Sequence, residues 1–536
     1  MTRWVVAALS VSLCLTAAET VDENTNWKFR REETGNSQVL RILHKLTDRY
    51  GPRLTGSPGH EAAANWAADQ FKEWGLKNIQ LEPWKWGHSG WANERAAGYL
   101  TAPVNDNLTF EVLAWTPSTN GVVAGHVVEL NPPSTPSKEE LTAWMDANKD
   151  KVRGRIVFMG KAAVLKVSFA TPAKRLDDAE AAARFDPLNP TPMNFGRQQV
   201  QTPEGKLSAN QVNELIDPWL AASGALLRVN DAGREFGQIR AFANRSYDVA
   251  KAVPTVVLRN EDYGRIERLL NDKEDVAVQF DIANHVYPKG ETSYNVVAEI
   301  PGTDKADEIV MLGGHLDSWH SATGATDNAI GSSMMMEAVR LIQSLGLRPR
   351  RTIRIALWSG EEQGLLGSQA YVKDHFGTFE EQKPEYPKLS AYFNIDSGTG
   401  RVRGAGVFGP PEAAAAVRQA LAPFADLGVA GAIASKSRNL GGTDSTSFNA
   451  AGLPGIGLMQ DPIEYGSHTW HTNLDTYERI VPEDAQKSAI VIASAVWHVA
   501  NRDEMLPRFA KDQMPPAPKP EGARPAPAKP AAAGTR

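Results

Sequence analysis

The side chains best suited to chemistry sit at breaks in the second half of the chain: His315-Leu316-Asp317, Asp327-Asn328, Glu361-Glu362, Asp396, and His471 ahead of Thr472-Asn473-Leu474-Asp475-Thr476. Each alone says little, since a lone histidine is usually a core or surface residue and a glutamate pair usually a solvated face. Five such sites after successive strand-like runs are another matter, because residues at strand ends can converge. Asp327, Glu362 and Asp396 brought together without a cation would repel and raise one another's pKa. Two divalent cations balance them: four positive charges against three carboxylates and one bridging hydroxide, with His315 and His471 neutral. Imidazole and carboxylate donors suit zinc. Asp317, two residues after His315, can accept from the other ring nitrogen and orient it. Asp327, at a helix start, can bridge two ions. Adjacent Glu361 and Glu362 point different ways, so one can bind metal while its neighbour faces the attacking water as general base. The chemistry implied is metal-assisted hydrolysis of an amide or ester.

The elements that must position these residues alternate between strand and helix. Strands are expected over 309–312, 352–358 and 389–395, and helices over 329–345 and 363–376. The Met334-Met335-Met336 run on the first of these helices reads as core packing. Such alternation predicts an α/β fold, a doubly wound, mixed and mostly parallel sheet with ligands beyond the carboxyl ends of its strands. Upstream, two helices lie within 37–74, separated by a turn rich in Gly and Pro over 50–59, and Gly75 stops the second. A strand follows over 79–86. Short apolar runs at 121–128, 155–159, 223–229 and 254–258 predict a smaller β-rich unit interrupted by a long polar loop over 171–205.

Composition sets the outer limits. The chain has 536 residues, 42% apolar and 22% charged, with net charge -6 and a pI near 6.1. That is ordinary for a globular protein and gives no electrostatic case for nucleic acid. Cys14 is the only cysteine, which excludes a disulfide framework and a thiolate-clustered zinc site. Arg3 precedes an apolar run from Trp4 to Leu15 and small residues at 16–18, the pattern of a signal peptide over 1–18. The run is too short to span a bilayer, so no stable membrane insertion is expected, and the mature chain is expected to be secreted or periplasmic. The Pro- and Ala-rich end, 509–536, is expected to be a disordered tail. Asn107 and Asn244 stand in glycosylation acceptor patterns.

Gly313-Gly314-His315-Leu316-Asp317-Ser318, Gly324-Ala325-Thr326-Asp327-Asn328, the 358–368 stretch around Glu361-Glu362, and His471-Thr472-Asn473-Leu474-Asp475-Thr476 together resemble the co-catalytic dizinc exopeptidases. Gly313 to Trp319 and Glu504-Met505-Leu506-Pro507-Arg508 are most similar to the carboxypeptidase Q branch. The resemblance implies two Zn2+ per chain, one held by His315 and Asp396, the other by Glu362 and His471. Asp327 would bridge them and Glu361 would be the general base. Tyr465 either donates a hydrogen bond to the developing oxyanion, as a Tyr does in relatives, or is a packed loop residue. The resemblance further implies a protease-associated domain over 119–283, inserted between catalytic segments 35–118 and 284–508. The substrate would be a dipeptide or short peptide, and the assembly a homodimer. Relatives often carry a His pair where this chain has Trp470-His471; spacing to Asp475-Thr476 favours His471 over His468 as ligand. The Gly441-Gly442-Thr443-Asp444-Ser445 segment either lines the substrate pocket or is a glycine turn with a capping Asp. Alternative readings are a glutaminyl cyclase of related fold with one zinc, or an inactive receptor-like binding protein similar to the transferrin receptor. Neither the peptide terminus gripped nor the side-chain preference is legible.

Overall fold

The structure, a computed structural model, describes residues 21–172, 174–188, 202–244 and 246–517. The expected signal segment 1–18 and the end of the tail, 518–536, lie outside the described residues. Among the described residues no helix is long and apolar enough to cross a membrane.

The strand–helix alternation produces an eight-stranded sheet in the order Lys77–Lys85, Thr292–Ile300, Arg351–Trp358, Lys305–His315, Leu389–Ile395, Gly455–Gln460, Val402–Phe408, Gly431–Ser435. The four strands from Arg351–Trp358 to Gly455–Gln460 run parallel, and antiparallel pairs flank them, so the sheet is mixed as expected. Both faces are covered, and the strands therefore read as near-continuous apolar runs. Period-two alternation decides which side chain goes where. Ile353, Ile355 and Leu357 join the core formed with helices Pro58–Glu73, Ile330–Ser344 and Pro482–Asn501. Ala356 and Trp358 join the opposite core with Tyr371, Tyr392 and Phe448. Met334, Met335 and Met336 are fully buried, as the packing reading required.

Helix Pro58–Glu73 shows how local chemistry sets these elements. The Ser57 hydroxyl accepts from the His60 amide, Pro58 stands where no amide is needed, and Gly75 takes a φ of +85° just beyond the helix. At the far sheet edge, His375 ends helix Leu366–His375 with Nε2 3.0 Å from Glu82 and Nδ1 3.4 Å from Glu385. Those hydrogen bonds outweigh burial and push its pKa up to about 9 from 6.5. A raised pKa stabilises fully below the unfolded value and is lost as pH climbs through the folded one. Wild type should exceed His375→Gln in urea-unfolding free energy by about 1 kcal/mol at pH 6, after allowance for solvent screening, and by much less near pH 10. An unchanged difference across that range would count against the ion pair.

The second unit departs from expectation in composition and extent. Its eight strands run Asp106–Asn107, Gly90–Ala102, Ala277–Tyr287, Val122–Leu130, Ile156–Met159, Leu227–Asp231, Thr255–Leu258, Phe110–Val112. Helices Lys138–Val152 and Ala209–Ser223 connect its parallel strands, and Asn260–Asn271 leads to the antiparallel Ala277–Tyr287, so helices accompany the expected strands and the unit is α/β. It also begins before residue 119, because strand Gly90–Ala102 pairs with Ala277–Tyr287 across nearly 190 residues of chain. Non-local pairing of this kind leaves no local mark. Within the 171–205 stretch, helix Asp178–Arg184 docks on the edge of the first sheet. Arg175 there grips Asp484 at 2.6 and 3.1 Å, and Phe185 is buried beside Gly404, where a Cβ would lie 2.7 Å from its ring.

Two further boundaries move. Helix Glu23–Asn36 precedes the expected start at 35 and packs on Pro482–Asn501, with Phe29 fully buried and Ser494 donating to Asn26 at 2.5 Å. The tail starts later than 509: Phe509 meets Phe408 with ring centres 5.3 Å apart, and Arg438 donates to the Pro515 carbonyl at 3.1 Å. Asn107 is exposed, whereas the Asn244 amide is buried and spent on the Trp115 and Asp248 carbonyls, which removes Asn244 as an acceptor in the folded chain.

Candidate metal centre

All five donor positions come together at the carboxyl edge of the parallel strands. His315 is the last residue of its strand, Asp396 follows Leu389–Ile395, and Glu361-Glu362 follow Arg351–Trp358. Asp327 lies in the turn before helix Ile330–Ser344, and His471 in the loop after Gly455–Gln460. His315 Nε2 is 3.2 Å from Asp327, 3.3 Å from Asp396 and 3.9 Å from Glu361. His471 Nε2 is 2.9 Å from Glu362 and 3.1 Å from Asp327. Asp327 thus faces both imidazoles. His468 turns away, with Nδ1 2.9 Å from the Ser467 hydroxyl.

The turn that presents the glutamates depends on one glycine. Gly360 has a φ of +70°, and a Cβ there would lie 2.7 Å from the Trp84 ring. Trp84 in turn donates to the Ser359 hydroxyl at 2.7 Å. Asp317 locks the same turn in a way its spacing did not disclose. Its carboxylate accepts from the Glu361 and Glu362 amides, each at 3.3 Å, and from Thr55 at 3.0 Å. The His315 Nδ1 partner at 3.0 Å is the Asp317 main-chain carbonyl; the carboxylate stands 3.7 Å off. Asp317 therefore orients the ring through its backbone and the glutamates through its side chain.

Two further groups support the site, Arg53 without a sequence signal of its own and Asp475 from the His471 motif. Arg53 is fully buried and donates to the carbonyls of Leu316, Leu46, Thr323 and Gly324. Asp475 accepts from the Thr326 and Asp327 amides at 2.5 and 3.2 Å, fixing the central carboxylate from behind. Arg53 stands among turn breakers, and only the fold shows what it touches.

The electrostatics are those of a site that requires positive charge. Burial alone would pull both histidines down, but the facing carboxylates hold His315 well above its usual range and push His471 up to about 9. Burial and the Asp327 charge push Glu362 up to about 7, against the pull of His471. Burial raises Glu361 well above the usual carboxylate range, with Asp396, Asp444 and Glu362 adding to it against His315. The packed carboxylates favour positive charge on the imidazoles, as they would favour a bound cation. Glu362 Oε1 is buried without a hydrogen-bond partner, so a free donor atom faces the same space. The imidazole and carboxylate donor set, with its one orphaned oxygen, fits zinc.

Two more sequence candidates lie against the cluster. Tyr465 is close enough to Asp327, Asp396 and Glu362 that their charges, added to burial, hold its phenol well above its usual range and therefore protonated. Asp444 does not cap helix Ser445–Ala450: both its oxygens are buried without a hydrogen-bond partner, and burial pushes it up to about 7. Neighbouring Thr443 is tied to the strand end by the Asn394 amide at 2.7 Å.

Comparison with known proteins agrees with this geometry. Residues 295–496, which hold all five donor positions, match the sequence model of peptidase family M28. Carboxypeptidase Q from Rattus norvegicus is 27% identical over 466 residues, covering 87% of this chain and 86% of the relative, and that from Homo sapiens is 26% identical over the same shares. Among solved structures, a peptidase M28 precursor from Shewanella amazonensis SB2B superposes with a TM-score of 0.63 at 25% identity, covering 91% of this chain and 99% of that one. The fold is shared as well with BSAP, a zinc aminopeptidase from Bacillus subtilis, with a TM-score of 0.55 at 17% identity over 89% and 98% of the two chains. Residues 295–496 are thus similar to the metallopeptidases of family M28, and along most of its length the chain is similar to carboxypeptidase Q.

Proposed function

We propose that this protein is an exported dizinc metallo-exopeptidase that hydrolyses dipeptides or short peptides. The observation that carries the reading is the convergence of His315, Asp327, Glu362, Asp396 and His471, with Asp327 between the two imidazoles and one buried Glu362 oxygen left free. His315 and Asp396 would hold one zinc, Glu362 and His471 the other, with Asp327 shared. When bound, the ions supply Lewis-acid polarisation of the scissile carbonyl and an acidified water. Glu361 would take the proton from the attacking water as the water oxygen bonds to the carbonyl carbon. The same carboxyl delivers the proton to the leaving amine nitrogen as the C–N bond breaks. The Tyr465 hydroxyl, kept protonated, donates to the carbonyl oxygen as negative charge builds there. The homodimer implied by the resemblance belongs to the same proposal.

Dipeptides with free and blocked termini, assayed with and without a zinc chelator, test the reading. Hydrolysis should vanish with chelator, return with zinc, and fail on at least one class of blocked peptide. The chelated protein should also lose thermal stability, since ions that bind only the folded state contribute to its free energy. Activity indifferent to the chelator would sink the proposal.

A further inference from the structure

The two imidazoles of the cluster are held by different means. His315 has a hydrogen bond from Nδ1 to a carbonyl. His471 Nδ1 is buried and has no hydrogen-bond partner, unlike most metal-binding histidines, whose second nitrogen donates. Packing holds this ring instead. Trp470 lies against it with ring centres 4.1 Å apart, Phe242 meets it edge-on at 5.4 Å, and Trp319 stands at 6.3 Å. The His471 backbone adds to the demand for support, with a φ of +60°, uncommon outside glycine.

Phe242 does not come from the sheet that carries the cluster. It ends an arm, residues 234–242, that runs between strands Leu227–Asp231 and Thr255–Leu258 of the second sheet. The arm is laced to the His471 loop. Ile239 and Asn473 exchange two bonds, amide to side chain at 2.9 Å and amide to carbonyl at 3.0 Å, and the Asn473 side chain donates to Gly237 at 3.2 Å. Arg234 donates to the Ser467 carbonyl at 3.2 Å. Arg240 donates to the Trp470 carbonyl at 3.1 Å, its guanidinium 4.5 Å above the Trp470 ring. Phe242 also packs on Trp319 at 5.1 Å, closing the aromatic wall.

We propose that this arm of the second sheet is the positioning element for His471, so that metal held by Glu362 and His471 depends on the arm and metal held by His315 and Asp396 does not. The inference rests on the two-metal reading above. Its physical basis is the missing hydrogen bond. A ring fixed by a donor–acceptor pair keeps its orientation when a neighbour is trimmed, whereas one fixed by contact gains freedom as soon as a wall is removed. Loss of a group that orients a ligand typically costs about 10–100-fold in metal affinity.

The test is stepwise titration of the full-length, metal-stripped protein with Co2+, followed by visible absorption, and with Zn2+ by calorimetry. Phe242→Ala and Asn473→Ala should bind the first equivalent as wild type does and the second about 10–100-fold more weakly. Phe242→Leu should restore part of the second step, and His471→Ala should abolish it. Thermal unfolding of each stripped variant reports whether the chain is folded. Both equivalents bound as in wild type would overturn the inference. So would equal weakening of both steps together with lost stability, which is what a merely structural role produces. If the wild type itself takes up fewer than two ions, the two-metal reading fails and this inference with it; if it takes up two and the variants are unaltered, only the inference fails.

Discussion

Glu361→Gln should keep both metal equivalents and lose turnover by about 10²–10⁴-fold, the usual worth of a positioned general base. The substitution preserves size and shape, so the turn locked by Gly360 and by the Asp317 carboxylate should persist: the two Asp317 bonds are made to the backbone amides of 361 and 362, not to their side chains. Only the ability to accept a proton changes. Glu361 is also the member of the pair that stays clear of His471, whose carboxylate partners are Glu362 and Asp327. Steady-state hydrolysis of a dipeptide, with metal content measured on the same sample, gives the comparison. Full activity in a metal-replete variant would remove Glu361 from the mechanism. Loss of one metal equivalent with the activity would make it a ligand instead.

Arg53→Ala should destabilise the fold by more than about 3 kcal/mol, because three buried carbonyls and a half-buried one lose their donor and each buried unsatisfied group costs about 1–3 kcal/mol before relaxation. The four acceptors belong to two separate regions, Leu46 upstream and Leu316, Thr323 and Gly324 around the His315 turn. One planar guanidinium joins them, and the Arg53 backbone amide donates to the Ser318 hydroxyl at 3.1 Å as well. Arg53→Lys should recover little, since a single ammonium cannot reach four carbonyls with the same geometry. Urea unfolding of the stripped protein isolates this effect from metal binding. A loss below about 1 kcal/mol would mean that water replaces the guanidinium, which full burial argues against.

Part of this is written in residue order. Ile353, Ile355 and Leu357 alternate because a strand exposes its two faces in turn, and the five donors follow strands or a helix start because that edge is where chain ends converge. Periodicity and spacing therefore exposed the first sheet and the identities of the residues that meet. The second unit was less legible. Strand Gly90–Ala102 finds its partner in Ala277–Tyr287, and no local pattern encodes a pairing across that distance. Its three connecting helices escaped notice because the short apolar runs of the strands dominated the reading of that stretch.

What the sequence determined by itself is the set of donors and their chemistry: imidazole and carboxylate, one cysteine at position 14, a carboxylate pair for two tasks. Tertiary structure decided how those donors are supported. It made the Asp317 carbonyl, rather than its carboxylate, the partner of His315. It turned Arg53 into a tie between distant turns, set Asp475 behind Asp327, and brought Phe242 from another sheet against His471. The physical reason is range. Donor type and strand periodicity are properties of a few consecutive residues, whereas the contacts that fix a ring or satisfy a buried carbonyl join residues hundreds of positions apart, and these exist only once the sheets have formed.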